Sequence, residues 1–279
     1  MARRLTFREL GQLVKCAAKG WSDDAASSMG AAVAFYTLFS LTPLLLVVIA
    51  LAGVFIGRDA AENAVIVKIA EFVGEKAAYG IEAILDAAGT RTQGAFAAIA
   101  GIATLVIGAT TVFAELRRDL DIIWRAPRPE RGGVLNFLTT RALSFSMVMG
   151  AGLLLLGSLV ASAMISAAGK HLMVHSALFA HAAEFVVSVL LVMGLFALIY
   201  KLLPSTSIAW SDVWVGSAVT SLLFWIGKFA IGVYIAKAAV GSSFGAAGAI
   251  VIVVAWVYYS SQVFFLGAEF TRQYAVRHG

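Results

Sequence analysis

Between Asp24 and Arg58 the chain runs 33 residues without one Asp, Glu, Lys or Arg. A helix needs about 20 consecutive apolar residues to cross the hydrocarbon core of a bilayer. Inside lipid the backbone must satisfy its own hydrogen bonds, which an α-helix does within a single segment. Only a chain that meets lipid gains from such a run. The composition agrees: 61% of residues are hydrophobic and 13% charged, against about 45–50% and about 25% in soluble domains.

Similar runs recur. The pattern predicts an all-α polytopic membrane protein, one domain over 1–279, with six transmembrane helices. The expected spans are about 29–56, 94–116, 142–168, 184–203, 213–236 and 249–267. Two amphipathic parts lie outside them. Residues 1–28 are basic, with Arg4, Arg8, Lys15 and Lys19 on one helical face and Leu10, Leu13, Val14, Ala17 and Trp21 supplying the apolar side. Such a helix suits either the headgroup layer or a solvated face packed on the bundle. Residues 58–93 carry six acids and four bases, with apolar positions near helical period, and read as one or two extracytoplasmic helices. Residues 117–141 form a basic loop with six arginines, broken by Pro127, Pro129, Gly132 and Gly133.

Lys and Arg set orientation. With the N-terminus inside, cytoplasmic segments hold 14 of them and the opposite segments 6. Both termini are therefore expected on the cytoplasmic side. The net charge of +5 belongs to this flanking pattern. No basic stripe interleaved with stacking aromatics marks a nucleic-acid partner.

Ionisable and polar groups inside spans are the default candidates for function, because charge at bilayer depth is costly. Lys228 is the deepest, roughly 12 Å in from the outer end of its helix at about 1.5 Å per residue. It suits an anionic head group or a carboxylate partner, for which Glu184 is the candidate; a snorkelling lysine or structural ion pair is the plain alternative. In the last span Tyr258, Gln262 and Glu269 stand at spacings of four and seven and share a face. That face suits a wet cavity or another helix, with Glu269 as a proton-relay carboxylate or a cap against Arg272. In the first span Pro43 removes a backbone hydrogen bond. Tyr36, Thr37 and Ser40 form a polar stripe beside it, so a kink or break is expected there. Broken helices bind substrate in many transporters, although tight packing helped by hydroxyls accounts for the stripe equally well. Glu115 and Asp212 read as interfacial, Asp212 as an acid at a helix N-terminus.

Other motifs carry less. The single Cys16 excludes an intramolecular disulfide. His171 and His175 have i, i+4 spacing but lack the intervening Glu of a zinc-protease helix. Gly150, Gly152 and Gly157 suit close helix packing. Asp119 and Asp121 lie among arginines and read as local ion pairs, so no carboxylate cluster supports nuclease chemistry. No cofactor and no metal is expected.

Two stretches carry a resemblance. Residues 31–46 read AAVAFYTLFSLTPLLL. Farther on, Leu203, Pro204, Trp210, Asp212, Gly216, Trp225, Tyr234, Phe244, Gly245, Ala246, Trp256, Leu266, Gly267, Ala268 and Glu269 fall at characteristic positions. Together these resemble the YihY/BrkB family of bacterial inner-membrane proteins over roughly residues 15–272. The resemblance implies a six-helix inner-membrane protein. Some members carry an old ribonuclease BN label, others a virulence label, and one branch is linked to transport of a lipid A precursor. The functional expectation is a transporter or flippase of an anionic, lipid-like envelope molecule, with membrane lipids as partners. The alternative is a non-catalytic scaffold or assembly factor; an enzyme is not expected.

Overall fold

The computed structural model describes residues 7–73, 75–89, 111–127, 176–237 and 246–278. The described residues are helical and contain no strand. We label the helices α1 (Phe7–Asp23), α2 (Ala26–Ile56), α3 (Arg58–Val73), α4 (Glu75–Gly89), α5 (111–123), α6 (Ser176–Leu202), α7 (Trp210–Lys237) and α8 (Ala246–His278). Among the described residues, three stretches are long and apolar enough to cross a membrane: Phe185–Leu202, Trp210–Ile231 and Ile250–His278. The charge-free α2 is apolar over Ala26–Leu41 as well. The expected span at 142–168 and most of the one at 94–116 lie outside the described residues.

The last helix, α8, is the hub. It packs on α1, α2, α4 and α7. Lipid tails are as apolar as leucine, so helices in a membrane gain little from burying apolar surface and depend on close backbone approach. The α7–α8 seam meets that demand reciprocally. Gly216 and Thr220 on α7 face Thr271 and Gly267 on α8 in antiparallel register. A Cβ at Gly216 would overlap the Thr271 side chain, and a Cβ at Gly267 would overlap Thr220. Farther along, Gly227 leaves the space that the Tyr259 phenol fills. The threonine hydroxyls bond within their own helices, Thr220 to the Gly216 carbonyl at 2.8 Å and Thr271 to the Gly267 carbonyl at 2.6 Å. Neither leaves a bare donor at the seam.

On the α6 side the seam is closed by Tyr200, which is fully buried. Its hydroxyl donates to the Phe264 carbonyl at 2.7 Å and lies 3.1 Å from Thr220 Oγ1. Phe196 stacks on its ring and Phe264 lies tilted against it, while Phe224 meets Phe196 edge-on, an arrangement aromatic quadrupoles favour.

The segment expected outside the membrane forms two helices, α3 and α4. They pack on the far half of α2 and on the start of α8, through Ala61, Val65, Ile81 and Leu85 against Leu45, Ile49 and Val253. Gly57, with φ of 85°, makes the turn from α2 into α3, and its N–H bonds the Gly53 carbonyl at 2.9 Å. Helix α1 rests on α8 through Leu13 and Ala17 against Phe270. Leu10 and Val14 stay exposed, so the apolar side divides between a packed stripe and an open one.

Of the kink or break expected at Pro43, the break is corrected. Helix α2 runs unbroken from Ala26 to Ile56 through Pro43. A proline costs one ladder bond and crowds one turn, while thirty-one residues of helix supply the rest. The Ser40 hydroxyl donates back to the Thr37 carbonyl at 3.2 Å in the turn before the proline. Hydroxyls of this kind satisfy backbone groups where lipid cannot.

Candidate functional site

The polar groups collect at two levels of the bundle. The first lies between membrane helices. Gln262 on α8 holds its amide where Gly30 on α2 leaves room: a Cβ at Gly30 would collide with it. Both amide atoms are buried, and among the described residues no group bonds either one. Trp225 and Trp256 likewise bury indole N–H groups without partners among the described residues. Lys228, half-buried on α7, carries its ammonium 4.6 Å from the centre of the Trp225 ring, a cation–π distance. Phe185, at the start of the α6 span, packs on the same indole at 5.3 Å. The neighbouring Glu184 is helical, but its side chain lies outside the described residues, as does that of Pro43.

The expected stripe on α8 is therefore graded. Tyr258 is exposed, Gln262 is half-buried with a buried amide, and Glu269 is fully buried. On α2, Tyr36 is half-buried against Phe35, and Ser40 is buried.

The second level is one end of the bundle, where the α1–α2 elbow, the end of α5, the α6–α7 turn and the end of α8 meet. These are segments the charge count assigns to one side of the membrane. Asp121 accepts from Ser205 twice, from its N–H at 2.6 Å and its hydroxyl at 2.7 Å. Arg117 donates to the same Ser205 hydroxyl at 3.1 Å. Asp121 is thus bound to the α6–α7 turn, with Arg117 reaching it through Ser205. Lys201 ties that turn down further, donating to the Ile208 carbonyl and lying 5.5 Å from the Trp210 ring centre. Asp212 sits in the first turn of α7 and is buried, where the helix dipole favours an acid.

Two acids here are buried more completely than the sequence suggested. Asp24, after α1, takes a hydrogen bond from Arg125 at 2.7 Å. Glu269 has an exposure of 0%, and its closest cation is Arg272, 3.6 Å away on the next turn of α8. Gly20 on α1 makes room for it, since a Cβ there would strike the Glu269 carboxyl. Asp24 and Arg125 were missed as site residues because neither lies in a span. The available signal was an acid directly after a basic amphipathic helix, opposite an arginine-rich loop.

Asp119, on α5 past the expected end of its span, is also buried, and its Oδ2 has no hydrogen-bond partner among the described residues. Burial pushes its carboxyl up from 3.8 to about 7, with nearby Glu115 raising it further and Arg118 opposing. An acid whose folded pKa is raised costs the folded state stability as pH rises from the unfolded pKa to the folded one. Between about pH 4 and 7 the unfolded chain ionises while the folded one resists. Asp119→Asn should therefore unfold with wild type near pH 4 and above it past pH 7, in thermal melts of detergent-solubilised protein. Parallel wild-type and mutant curves over that window would refute the assignment.

Among the described residues no group of three His, Cys, Asp or Glu is placed to hold a metal ion. His171 and His175 lie outside those residues.

Residues 17–279 match the family model described as virulence factor BrkB. The relatives found are named UPF0761 membrane proteins. That of Tolumonas auensis is 33% identical over 174 residues, 61% of this chain and 55% of the relative. That of Rhodospirillum centenum is 26% identical over 97% of this chain and 60% of its own length. That of Halorhodospira halophila is 30% identical over 90% of this chain and 54% of its own length. The chain thus spans little more than half the length of these curated relatives. No solved structure matches it.

Proposed function

This chain belongs to the family described as virulence factor BrkB, and from that premise we propose that it is a membrane carrier: a transporter or flippase of an anionic, lipid-like molecule of the envelope. Its place is the bacterial inner membrane, with both termini on the cytoplasmic side. The observation that carries this reading is the Gln262 amide, buried between α8 and α2 with neither polar atom bonded by any of the described residues. A buried unpaired polar group costs about 1–3 kcal/mol, and native proteins keep few of them without a use. A head group entering between these helices supplies the partners. Lys228 on α7 adds a cation at bilayer depth, its ammonium resting on Trp225, and Glu184 is its proposed counter-ion. Tyr36 and Ser40 on α2, beside Pro43, and Tyr258 on α8 complete the proposed polar path.

The second reading is a non-catalytic scaffold, favoured by the tight Gly/Thr seam between α7 and α8. Native-lipid mass spectrometry of the purified protein separates the two. A carrier retains an anionic envelope lipid selectively. Gln262→Leu and Lys228→Ala should each weaken that retention by about tenfold or more, since a hydrogen bond to a charged group is worth about 1.5–3 kcal/mol. Equal, unselective retention in all three proteins would leave the scaffold.

A further inference from the structure

Glu269 presents a problem that the carrier reading does not solve. A carboxylate wholly removed from water needs donors, yet among the described residues neither oxygen of Glu269 has a hydrogen-bond partner. Arg272, at 3.6 Å, is close enough for charge but not for a hydrogen bond. The group within reach is another carboxyl, that of Asp24. Asp24 gives one oxygen to Arg125 and keeps the other, Oδ2, buried without a partner. Among the described residues, both Glu269 oxygens and this Asp24 oxygen are thus buried without a donor, and the Glu269 carboxyl lies over Gly20. One proton resolves this: placed on Glu269, it supplies an O–H that donates to Asp24.

We propose that Glu269 is a proton-binding site and that Asp24 and Arg125 read its state, forming a proton-responsive latch between the α1–α2 elbow, α5 and α8. The latch depends on the carrier reading for its purpose and on its own geometry for its chemistry. With the proton bound, the chain runs from the Glu269 O–H to the Asp24 carboxylate to the Arg125 guanidinium, and α8 is tied to the elbow. When the proton leaves to water, Glu269 and Asp24 are both charged. Like charges repel strongly in a dry site, and the elbow is driven from α8 while Arg125 stays with Asp24.

The charges that act on Glu269 from its surroundings are Asp24 at the elbow, Arg125 after α5 and Arg272 on α8 itself. Helix α2 carries no charged residue. Helix α1 presents Gly20 at the contact, and α4 meets α8 near Val253, at the other end. Asp212 of α7 and Lys201 of α6 are held in the α6–α7 turn region.

The backbone offers an independent sign that this end is built to switch. Among the described residues, two that are not glycine have positive φ: Ala25 at 54° and Arg125 at 52°. One adjoins Asp24, and the other is its partner. The left-handed region costs such residues about 1–2 kcal/mol each. Strain of this kind persists where surrounding contacts hold it, often at switch regions.

The test uses the full chain in lipid nanodiscs. Infrared difference spectra on acidification should show the carbonyl stretch of a buried protonated carboxyl. That band should vanish in Glu269→Gln and persist in Asp119→Asn. In a Cys16→Ser background, spin labels on the exposed positions Ser22 and Pro127 should change separation with pH in wild type. In Glu269→Gln they should hold the acid-form separation at every pH. A pH response surviving in Glu269→Gln, or no band assignable to Glu269, would overturn the latch. Should Glu269→Gln fail to fold, Asp24→Asn takes its place, since losing the charged acceptor must shift the same band; an unshifted band overturns the proposal. Selective lipid retention without the band removes the latch and leaves the carrier, and the band and motion without lipid retention do the reverse.

Discussion

Gly267→Ala should destabilise the protein by about 2–3 kcal/mol, although alanine is the better helix former. Helix propensity favours the change by about 1 kcal/mol. Against it, the new methyl falls on Thr220 Oγ1 and close to the Tyr200 hydroxyl. Overpacking a fitted site costs about 1–3 kcal/mol. Displacing these two hydroxyls also endangers the bonds to the Phe264 and Gly216 carbonyls, worth about 0.5–1.5 kcal/mol each. The losses outweigh the gain because α7 and α8 cannot move apart without surrendering the packing that joins them in lipid.

Two further variants isolate the cause in thermal melts of detergent-solubilised protein. Gly194→Ala, where a Cβ meets nothing within 4 Å, should be neutral or slightly stabilising. Thr220→Ala removes the group that Gly267 accommodates, so adding Gly267→Ala to it should cost less than the single change costs in wild type. An unaltered melting temperature for Gly267→Ala would mean that the two helices do not meet at these residues.

The legible part of this structure is what a single helix reveals about itself. The charge-free run over Ala25–Gly57 announces α2, and the acid-rich segment after it becomes α3 and α4, because amphipathic period and length act locally. The gathering of charged loops at one end also follows from the sequence, since the Lys and Arg asymmetry already sorts those loops onto one side. Less visible is what depends on two helices at once. Gly216, Thr220, Gly267 and Thr271 have the small-residue spacing of packed membrane helices, yet nothing in either segment names its partner or register. The same holds for Gln262, whose amide is buried only because Gly30, in a helix more than two hundred residues away, leaves space for it. The break expected at Pro43 fails for a related reason: its local cost is real, but α2 is long enough to continue through it. Asp24 and Arg125 escaped because a salt bridge between an elbow and a loop has no periodicity to announce it.

Removing either member of that salt bridge should give unequal losses. Asp24 has 5% of its side chain exposed, and Arg125 has 52%. Arg125→Ala leaves a buried carboxylate facing Glu269 with its main counter-charge gone. Breaking a buried pair from one side costs about 3–5 kcal/mol, and the accessible arginine here places the expected loss toward the lower end. Above the pH at which Glu269 loses its proton, Asp24→Ala leaves an arginine that is already half in water, where an exposed pair is worth about 0–1 kcal/mol, and it also removes the carboxylate that repels Glu269. Arg125→Ala should therefore melt well below Asp24→Ala, and adding Asp24→Asn to Arg125→Ala should recover part of the deficit by removing the stranded charge. Equal melting temperatures for the two single variants would show that Asp24 reaches water in solution, and that the charge at this elbow is not held as the structure places it.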